Sequence, residues 1–404
     1  MHTNLHQKYK KTTEGLEAAE IIKSCVHCGF CNATCPTYQE LADERDGPRG
    51  RIYLVKQLLE GEEVTGKTLT HLDRCLTCRS CETTCPSSVE YGRLIDIGRS
   101  LLEEQKIRPM KERLMRWGLR HVLPYPRRFG FLLKLGQAFR PLLPANLKTK
   151  IPLAVKHSPW PKNSHPRVML ALAGCVQSAT TPGTNTTTAR VLDRLGITLL
   201  EAPTAGCCGA VSQHLGAPGE AKGFMRTNID AWWPAIEAGA EAIISTASGC
   251  GVMLTEYGYH LRDDPDYAEK ARVVSSIAKD ISEILVNEEL ETLKLPANTS
   301  KTAVHCPCTL QHGLKQPEIV EQILRRIGAP LVTTREKHLC CGSAGTYSIL
   351  QPALSQKLLD NKLAALTVDD PEQIVTANVG CHLHLQSQSP VPVKHWIELL
   401  DAQS

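Results

Sequence analysis

The pattern of apolar and polar positions changes character twice along the chain. Up to about residue 105 the apolar residues recur at helical spacing. Residues 1–24 are polar at first, then place Leu16, Ala19, Ile21 and Ile22 on a short apolar run. Gly50–Glu60 carries Ile52, Val55, Leu58 and Leu59 on one helical face, Lys67–Leu76 sets Leu69 and Leu72 three apart, and Tyr91–Gln105 continues the same period. This spacing predicts a helical domain over residues 1–105.

Between residues 106 and 166 the pattern stays helical, but its polar side takes one sign. Met110, Leu114 and Trp117 fall at helical spacing, as do Leu132, Leu135 and Phe139, with Pro124, Pro126, Pro141 and Pro144 as punctuation. Lys106–Arg167 holds 15 Lys and Arg against one acid, Glu112, so the segment is a basic amphipathic linker. Two readings stay open. The segment lies on an anionic membrane surface, or its apolar side packs on its own domains with the charges solvated. Docking onto a partner subunit would leave the same signature.

After Arg167 short apolar runs alternate with helical stretches. The pattern predicts strands at Arg167–Ala173, Ile197–Ala202 and Ala242–Ser245, with helices at Thr186–Leu195 and Ala221–Glu237. A second copy predicts strands at Thr302–His305, Leu331–Thr333 and Ile374–Thr376, with helices at Pro317–Ile327 and Tyr347–Leu363. Alternation of this kind implies mostly parallel sheets. Cysteines mark the duplication. Cys175, Cys207 and Cys208 recur 133 residues later as Cys308, Cys340 and Cys341, and Cys250 recurs 131 later as Cys381. Residues 167–300 and 301–404 are therefore read as two similar domains. Cys306 breaks the offset and is the spare thiol. Each matched cysteine falls just past the carboxyl end of an expected strand, where open α/β sheets bind ligands. The four of each repeat should converge, and Gly209 and Gly342 suit a backbone that must come close to a cofactor. The fold class is α+β multidomain: an N-terminal helical domain followed by two duplicated α/β domains.

The cysteines dominate the chemistry. Cys25, Cys28, Cys31 and Cys35 form C-x₂-C-x₂-C-x₃-C followed by Pro36, and Cys75, Cys78, Cys81 and Cys85 repeat it before Pro86. This is the run by which two-cluster ferredoxins hold [4Fe–4S] clusters, the fourth Cys of each run ligating the other cluster. The expected sets are Cys25, Cys28, Cys31 and Cys85 for one cluster, and Cys35, Cys75, Cys78 and Cys81 for the other. Two zinc sites are the alternative, but zinc usually pairs two C-x₂₋₄-C arms. The 17 cysteines are odd in number and clustered, and no secretory segment is evident near Met1, which argues against a disulfide framework and for the reducing cytoplasm. A formal net charge of +4 does not argue for nucleic acid. No run reaches 18 apolar residues, so no membrane span is expected. There is no GxGxxG or Walker sequence, and Asp46-Gly-Pro-Arg-Gly-Arg51 precedes a helix rather than opening a nucleotide-binding unit. No Ser/His/Asp arrangement offers a catalytic residue. Removing hydride from a 2-hydroxy acid needs a flavin or its like, so a chain of clusters without a flavin site is a relay.

The Cys-Cys-Gly repeats resemble the cysteine-rich domains of heterodisulfide reductase and of the iron–sulfur subunits of glycerol-3-phosphate and lactate oxidation. The N-terminal part is closer to the iron–sulfur subunit of bacterial glycolate oxidase, through Cys25-Val-His-Cys-Gly-Phe-Cys31, Asp46-Gly-Pro-Arg-Gly-Arg-Ile-Tyr53 and His71-Leu-Asp-Arg-Cys-Leu-Thr-Cys78. The resemblance covers the whole chain, with one departure. The reductase-type domain ends in C-x₂-C and carries a noncubane cluster on five thiolates. Here Cys250 is followed by Gly251-Val252-Met253, and Cys381 by His382-Leu383-His384, so each repeat offers four. A third cluster is expected on Cys308, Cys340, Cys341 and Cys381 rather than on Cys175, Cys207, Cys208 and Cys250. His305, His382 and His384 add possible ligands there, and His384 stands where the fifth thiolate would be.

The resemblance implies an electron-transfer subunit with two [4Fe–4S] clusters and no flavin. It would take electrons from flavin-binding subunits that oxidise glycolate, and also D-lactate, to the keto acid, and pass them to a membrane quinone. That places it peripherally on the cytoplasmic face of a bacterial inner membrane, in a hetero-oligomer. The alternatives are the iron–sulfur subunit of a D-lactate or glycerol-3-phosphate dehydrogenase, a heterodisulfide-reductase-like thiol reductase, and a zinc-binding interaction module. The absent fifth thiolate counts against the reductase.

Overall fold

A computed structural model describes residues 1–144, 148, 151–153, 159–293 and 300–401. Its first part is helical throughout: α1 (Thr13–Ser24), α2 (Phe30–Ala33), α3 (Pro36–Leu41), α4 (Pro48–Glu60), α5 (Gly66–Asp73), α6 (Ser80–Thr84) and α7 (Tyr91–Glu104). Local chemistry sets the ends. The Thr12 hydroxyl accepts from Gly15 N (3.1 Å) at the start of α1. Pro48 opens α4, and Gly61 closes it in the left-handed conformation. The apolar stripes of α1, α4, α5 and α7 meet in one core containing Ile22, Val55, Leu59, Leu72, Leu94 and Leu102. Gly98 of α7 lets Val55 of α4 approach to where a Cβ would stand 2.7 Å from its methyl group.

Two helices follow, α8 (Met110–Val122) and α9 (Pro126–Phe139). They are pinned at their base. Arg108 Nη2 donates to Asp73 Oδ1 (2.8 Å), and the buried Arg116 reaches the same carboxylate at 2.8 Å. Arg120 pairs with Glu220 of the first repeat at 3.2 Å, and Tyr125 meets Phe224 edge-on. The apolar side, however, faces solvent: Met110 is 73% exposed, Leu114 64%, Phe131 69% and Leu142 81%. The reading in which this side packs on the chain's own domains fails for these residues. Residues 145–147, 149–150 and 154–158 of the same segment lie outside the described residues.

Each repeat builds a parallel sheet. The first has the order β2-β1-β3-β4, from β1 (Arg167–Ala171), β2 (Ile197–Glu201), β3 (Ala242–Ser245) and β4 (Ala278–Asp280). The second has β5 (Thr302–His305), β6 (Gln373–Thr376) and β7 (Val393–His395), with β5 flanked by a single parallel bridge from Thr302 to Leu331. That bridge is all that forms of the strand expected at Leu331–Thr333. β4 and β7 were not anticipated, being three residues long and too short for a period to register. The helix expected over Tyr347–Leu363 is two, Tyr347–Leu350 and Pro352–Leu366, because Pro352 opens a new helix. Otherwise the alternation is as expected, and the strands end where the matched cysteines begin.

The repeats share a core. Met169, Ile197 and Ile281 of the first pack in one cluster with Val304, Ile323 and Trp396 of the second. His395 Nε2 also bonds Thr246 O across the boundary at 2.9 Å. Truncating the fully buried Trp396 to Ala would cost about 3–5 kcal/mol and be felt on both sides.

Candidate metal centres

In the first cysteine run, backbone turns aim the thiols inward. His27 and Gly29 have positive φ (58° and 84°), and Thr77 and Arg79 repeat the geometry in the second run (53° and 60°). Cys25, Cys28, Cys31 and Cys85 line a single pocket whose other walls include Cys81 of the second run, Pro48, Ile52, Val89 and Tyr91. The Cys31 thiol is pushed up to about 11 by burial, then by its neighbours Cys25, Cys85 and Cys28. Cys85, distant in sequence, thus stands with the first run. Cys28 is exposed, and so are Val26 and Phe30 beside it.

Cys35 stands with the second run. Burial holds the Cys81 thiol up, and Cys78, Cys75 and Cys35 add to it; for Cys78 burial is followed by Cys308, Cys35 and Cys75. This set is deeper, with Cys35, Cys75 and Cys81 buried. Arg51, 1% exposed, brings its cation to it. Nη1 is 4.0 Å from Cys35 Sγ, Nε donates to His71 O (2.7 Å), and Nη2 donates to Thr37 Oγ1 (3.0 Å). Asp46, fully buried, lies 3.5 Å from Arg51, 3.0 Å from His71 and 2.9 Å from Arg74. Tyr91 OH donates to Cys75 Sγ at 3.7 Å. The Gly-rich stretch Asp46–Arg51 therefore furnishes the charges around the buried thiols. Sequence reading had singled it out without a role, and Tyr91 gave no signal at all.

The repeats each bring four thiols together, as expected. In the first, the neighbouring Cys175 and Cys208 hold the Cys207 thiol up, and Cys208, then burial and Cys175, hold the Cys250 thiol up. In the second, Cys308 Sγ lies 3.7 Å from Cys340 Sγ, Cys341 neighbours Cys340 and Cys381, and Asn378 Nδ2 donates to Cys381 Sγ at 3.4 Å. In both, the glycine after the pair has positive φ and its N–H donates to the first Cys of the pair (Gly209, 3.4 Å; Gly342, 3.5 Å). Cys306 stays apart, its thiol 3.9 Å from Pro307 O. Of the three candidate histidines, His384 has Nε2 facing Ser355 Oγ at 3.1 Å, and His305 lies within 4.8 Å of the Cys341 and Cys381 thiols. A buried lysine adds charge to the second repeat: Lys362 Nζ donates to Glu336 O (2.8 Å) and Lys337 O (3.3 Å).

The second repeat also touches the helical domain's buried thiols. Leu76, Cys340, Tyr347, Leu354 and Leu358 form one apolar cluster, with Cys78 and Cys308 packed against it.

Comparison with known proteins fits this arrangement. Residues 21–89 match the 4Fe-4S dicluster domain, and residues 169–255 and 302–386 match the cysteine-rich (CCG) domain. The chain is 54% identical over 402 residues to the glycolate oxidase iron–sulfur subunit of Escherichia coli K12, covering 99% of this chain and 98% of that one. The chain belongs to the glycolate oxidase iron–sulfur subunit family. It is also 32% identical to a probable glycolate oxidase iron–sulfur subunit of Bacillus subtilis, over 92% of this chain and 90% of that one. Lactate utilization protein A of Bacillus licheniformis is 26% identical over 223 residues, 54% of this chain.

As a member of this family the chain is one component of an oxidoreductase and not a catalyst by itself. Iron–sulfur clusters are its cofactors, in keeping with the dicluster match and with thiols gathered around a cavity. Among the described residues no helix is long and apolar enough to cross a membrane.

Proposed function

We propose that this subunit relays electrons, one at a time, from a separate flavin-bearing subunit that oxidises glycolate to glyoxylate, with D-lactate as a second substrate, toward a membrane quinone. The observation that carries this reading is the row of thiol sets. One set, with Cys28 exposed, faces outward; a second is buried behind it; the second repeat's thiols adjoin the second set through Cys78 and Cys308. Electrons would enter at a cluster on Cys25, Cys28, Cys31 and Cys85, and pass to one on Cys35, Cys75, Cys78 and Cys81. From there they would reach a third metal centre on Cys308, Cys340, Cys341 and Cys381. Cys175, Cys207, Cys208 and Cys250 are given no part in this relay. When bound, the clusters supply single-electron storage; the chain's residues space them, exclude water and, through Arg51 and Lys362, offset the negative charge of thiolates.

The chain would work on the cytoplasmic face of the inner membrane, held peripherally by the basic α8–α9 hairpin. The complex's flavin subunits are its partners, and no nucleic acid is involved. The test is reconstitution. The iron-loaded subunit alone should not oxidise glycolate with any dye acceptor, and activity should appear when the flavin-bearing partner is added. Turnover by a preparation verified to be flavin-free overturns the relay.

A further inference from the structure

The two repeats have the same thiols but not the same walls. At the carboxyl end of β5 the second repeat has His305, 1% exposed; the residue 133 earlier, the spacing of the matched cysteines, is the buried Leu172. His305 pairs in register with Thr376 of β6, and its Nδ1 lies 2.9 Å from Thr376 Oγ1. Its Nε2 is buried without a hydrogen-bond partner. A ring nitrogen of His305 and the thiols of Cys341 and Cys381 all lie within 4.8 Å of one another. A buried imidazole nitrogen left bare costs about 1–3 kcal/mol, and the bond to Thr376 satisfies only the other nitrogen. The first repeat fills the equivalent place with a leucine.

We propose that His305 Nε2 is a metal ligand of the second repeat's centre, standing in for the thiolate that the missing C-x₂-C would have supplied. Nδ1–H donates to Thr376 Oγ1, which fixes the ring and leaves the Nε2 lone pair for the metal; a ligating histidine normally anchors its other nitrogen in this way. On binding, the thiols release their protons to solvent and the neutral imidazole releases none. A set of thiolates with one imidazole suits iron or zinc. The first repeat has Leu172 at this place, so the two repeats differ in their chemistry there.

The inference rests on the reading that the second repeat holds a metal, and the test separates the two. Full-length protein, purified anaerobically, is compared with Cys341→Ser, His305→Gln and His305→Cys, before and after reloading with ferrous iron plus sulfide or with zinc chloride. Metal and sulfide analysis tells an iron–sulfur centre from a zinc ion. Spin-echo spectroscopy on the iron form, or X-ray absorption on the zinc form, reads a nitrogen ligand. The expected result is one centre beyond the two N-terminal clusters, lost in Cys341→Ser and bound at least tenfold more weakly in His305→Gln. His305→Cys should restore it with the nitrogen signal gone. The N-terminal cluster absorbance, unchanged throughout, reports that the variants fold. A His305→Gln protein that keeps the metal at full affinity with the same spectrum overturns the His305 ligand while sparing the centre. Wild-type and Cys341→Ser proteins of equal metal content overturn the centre itself.

Discussion

Arg79, at the tip of the second cysteine run, grips Glu256 of the first repeat with both terminal nitrogens, at 2.6 and 2.9 Å. The pair is one of several that dock the helical domain onto both repeats. Thr83 Oγ1 meets His312 Nδ1 (2.9 Å), His214 Nδ1 meets Asp96 (3.1 Å), and Arg262 Nη2 donates to Glu17 (2.6 Å). Because Arg79 is the residue after Cys78, its anchorage also settles how Cys78 faces Cys308. Docking and thiol juxtaposition are one piece of geometry.

Cutting that pair should therefore loosen the domains. Both side chains are mostly buried, at 13% and 19% exposed. Arg79→Ala or Glu256→Gln leaves one partner desolvated and should cost about 1–3 kcal/mol, below the ~3–5 kcal/mol of a fully buried pair. Chemical denaturation of each variant and of the double variant measures it; a coupling energy near zero would contradict the assignment.

A pH dependence follows from His395. Its Nε2 bonds Thr246 O and its Nδ1 accepts from Ile397 N (3.2 Å), so the ring is neutral with the proton on Nε2. Burial, then the neighbouring His382, lowers its pKa to about 3. Between that value and the unfolded ~6.5 the unfolded chain binds the extra proton, so stability is present above pH 6.5 and is lost as pH falls toward 3. By pH 5 the loss is about 2 kcal/mol, at 1.36 kcal/mol per pH unit. Denaturation should show a slope at least this steep, since the buried His260 and His382 are lowered too, and His395→Gln should remove only the His395 share of it.

Much of this was legible because ligand chemistry imposes spacing. Cys25 to Cys85 and the matched offset from Cys175 to Cys308 could be read without coordinates, since clusters and duplications leave periods. Strands of three residues do not, so Ala278–Asp280 and Val393–His395 stayed hidden. Periodicity showed which side of α8 and α9 is apolar but not what covers it. His305, His382 and His384 were all legible as candidates, but that His305 stands beside the Cys341 and Cys381 thiols was not, because it is a tertiary relation. Pro352 was a helix-start signal in plain view, outweighed by the apolar run around it.

The crossed cysteine sets make an asymmetric prediction. Cys35 belongs to the first run in sequence and to the second in space. Cys35→Ala should damage the cluster held mainly by Cys75, Cys78 and Cys81. Spectroscopy resolving the two clusters checks it; loss of the Cys25/Cys28/Cys31 cluster alone would show the sets to be uncrossed.

The two loop glycines should tolerate substitution unequally. At Gly342 (φ 85°) an added Cβ would stand 2.7 Å from Ser355 O and 2.8 Å from Leu358 Cβ; at Gly209 (φ 95°) the nearest atom is Ala221 O at 3.1 Å. Alanine pays about 1–2 kcal/mol for positive φ at either position. Overpacking adds about 1–3 kcal/mol at Gly342. Gly342→Ala should lose roughly 2–5 kcal/mol and expose Cys340 and Cys341 to alkylation, while Gly209→Ala loses about 1–2 kcal/mol.

The hairpin of α8 and α9 tests how the complex meets the membrane. Lys111, Arg127 and Lys134 are exposed around the apolar residues Met110, Phe131 and Leu135. Arg128 is a poorer probe, since its Nη1 donates to His121 O (2.9 Å) and its guanidinium lies over Tyr125. Each basic residue near an anionic surface contributes about 1 kcal/mol, so reversing all three to Glu should weaken binding to phosphatidylglycerol vesicles by roughly a hundredfold or more. Salt should weaken the wild type in the same direction, because the attraction is screened. Phe131→Ser should instead lower the binding that survives at high salt, where burial of the apolar side carries it. The two effects separate charge from burial. If the triple reversal leaves vesicle binding intact but prevents association with the flavin-bearing partner, the hairpin is a subunit contact and the membrane is reached elsewhere.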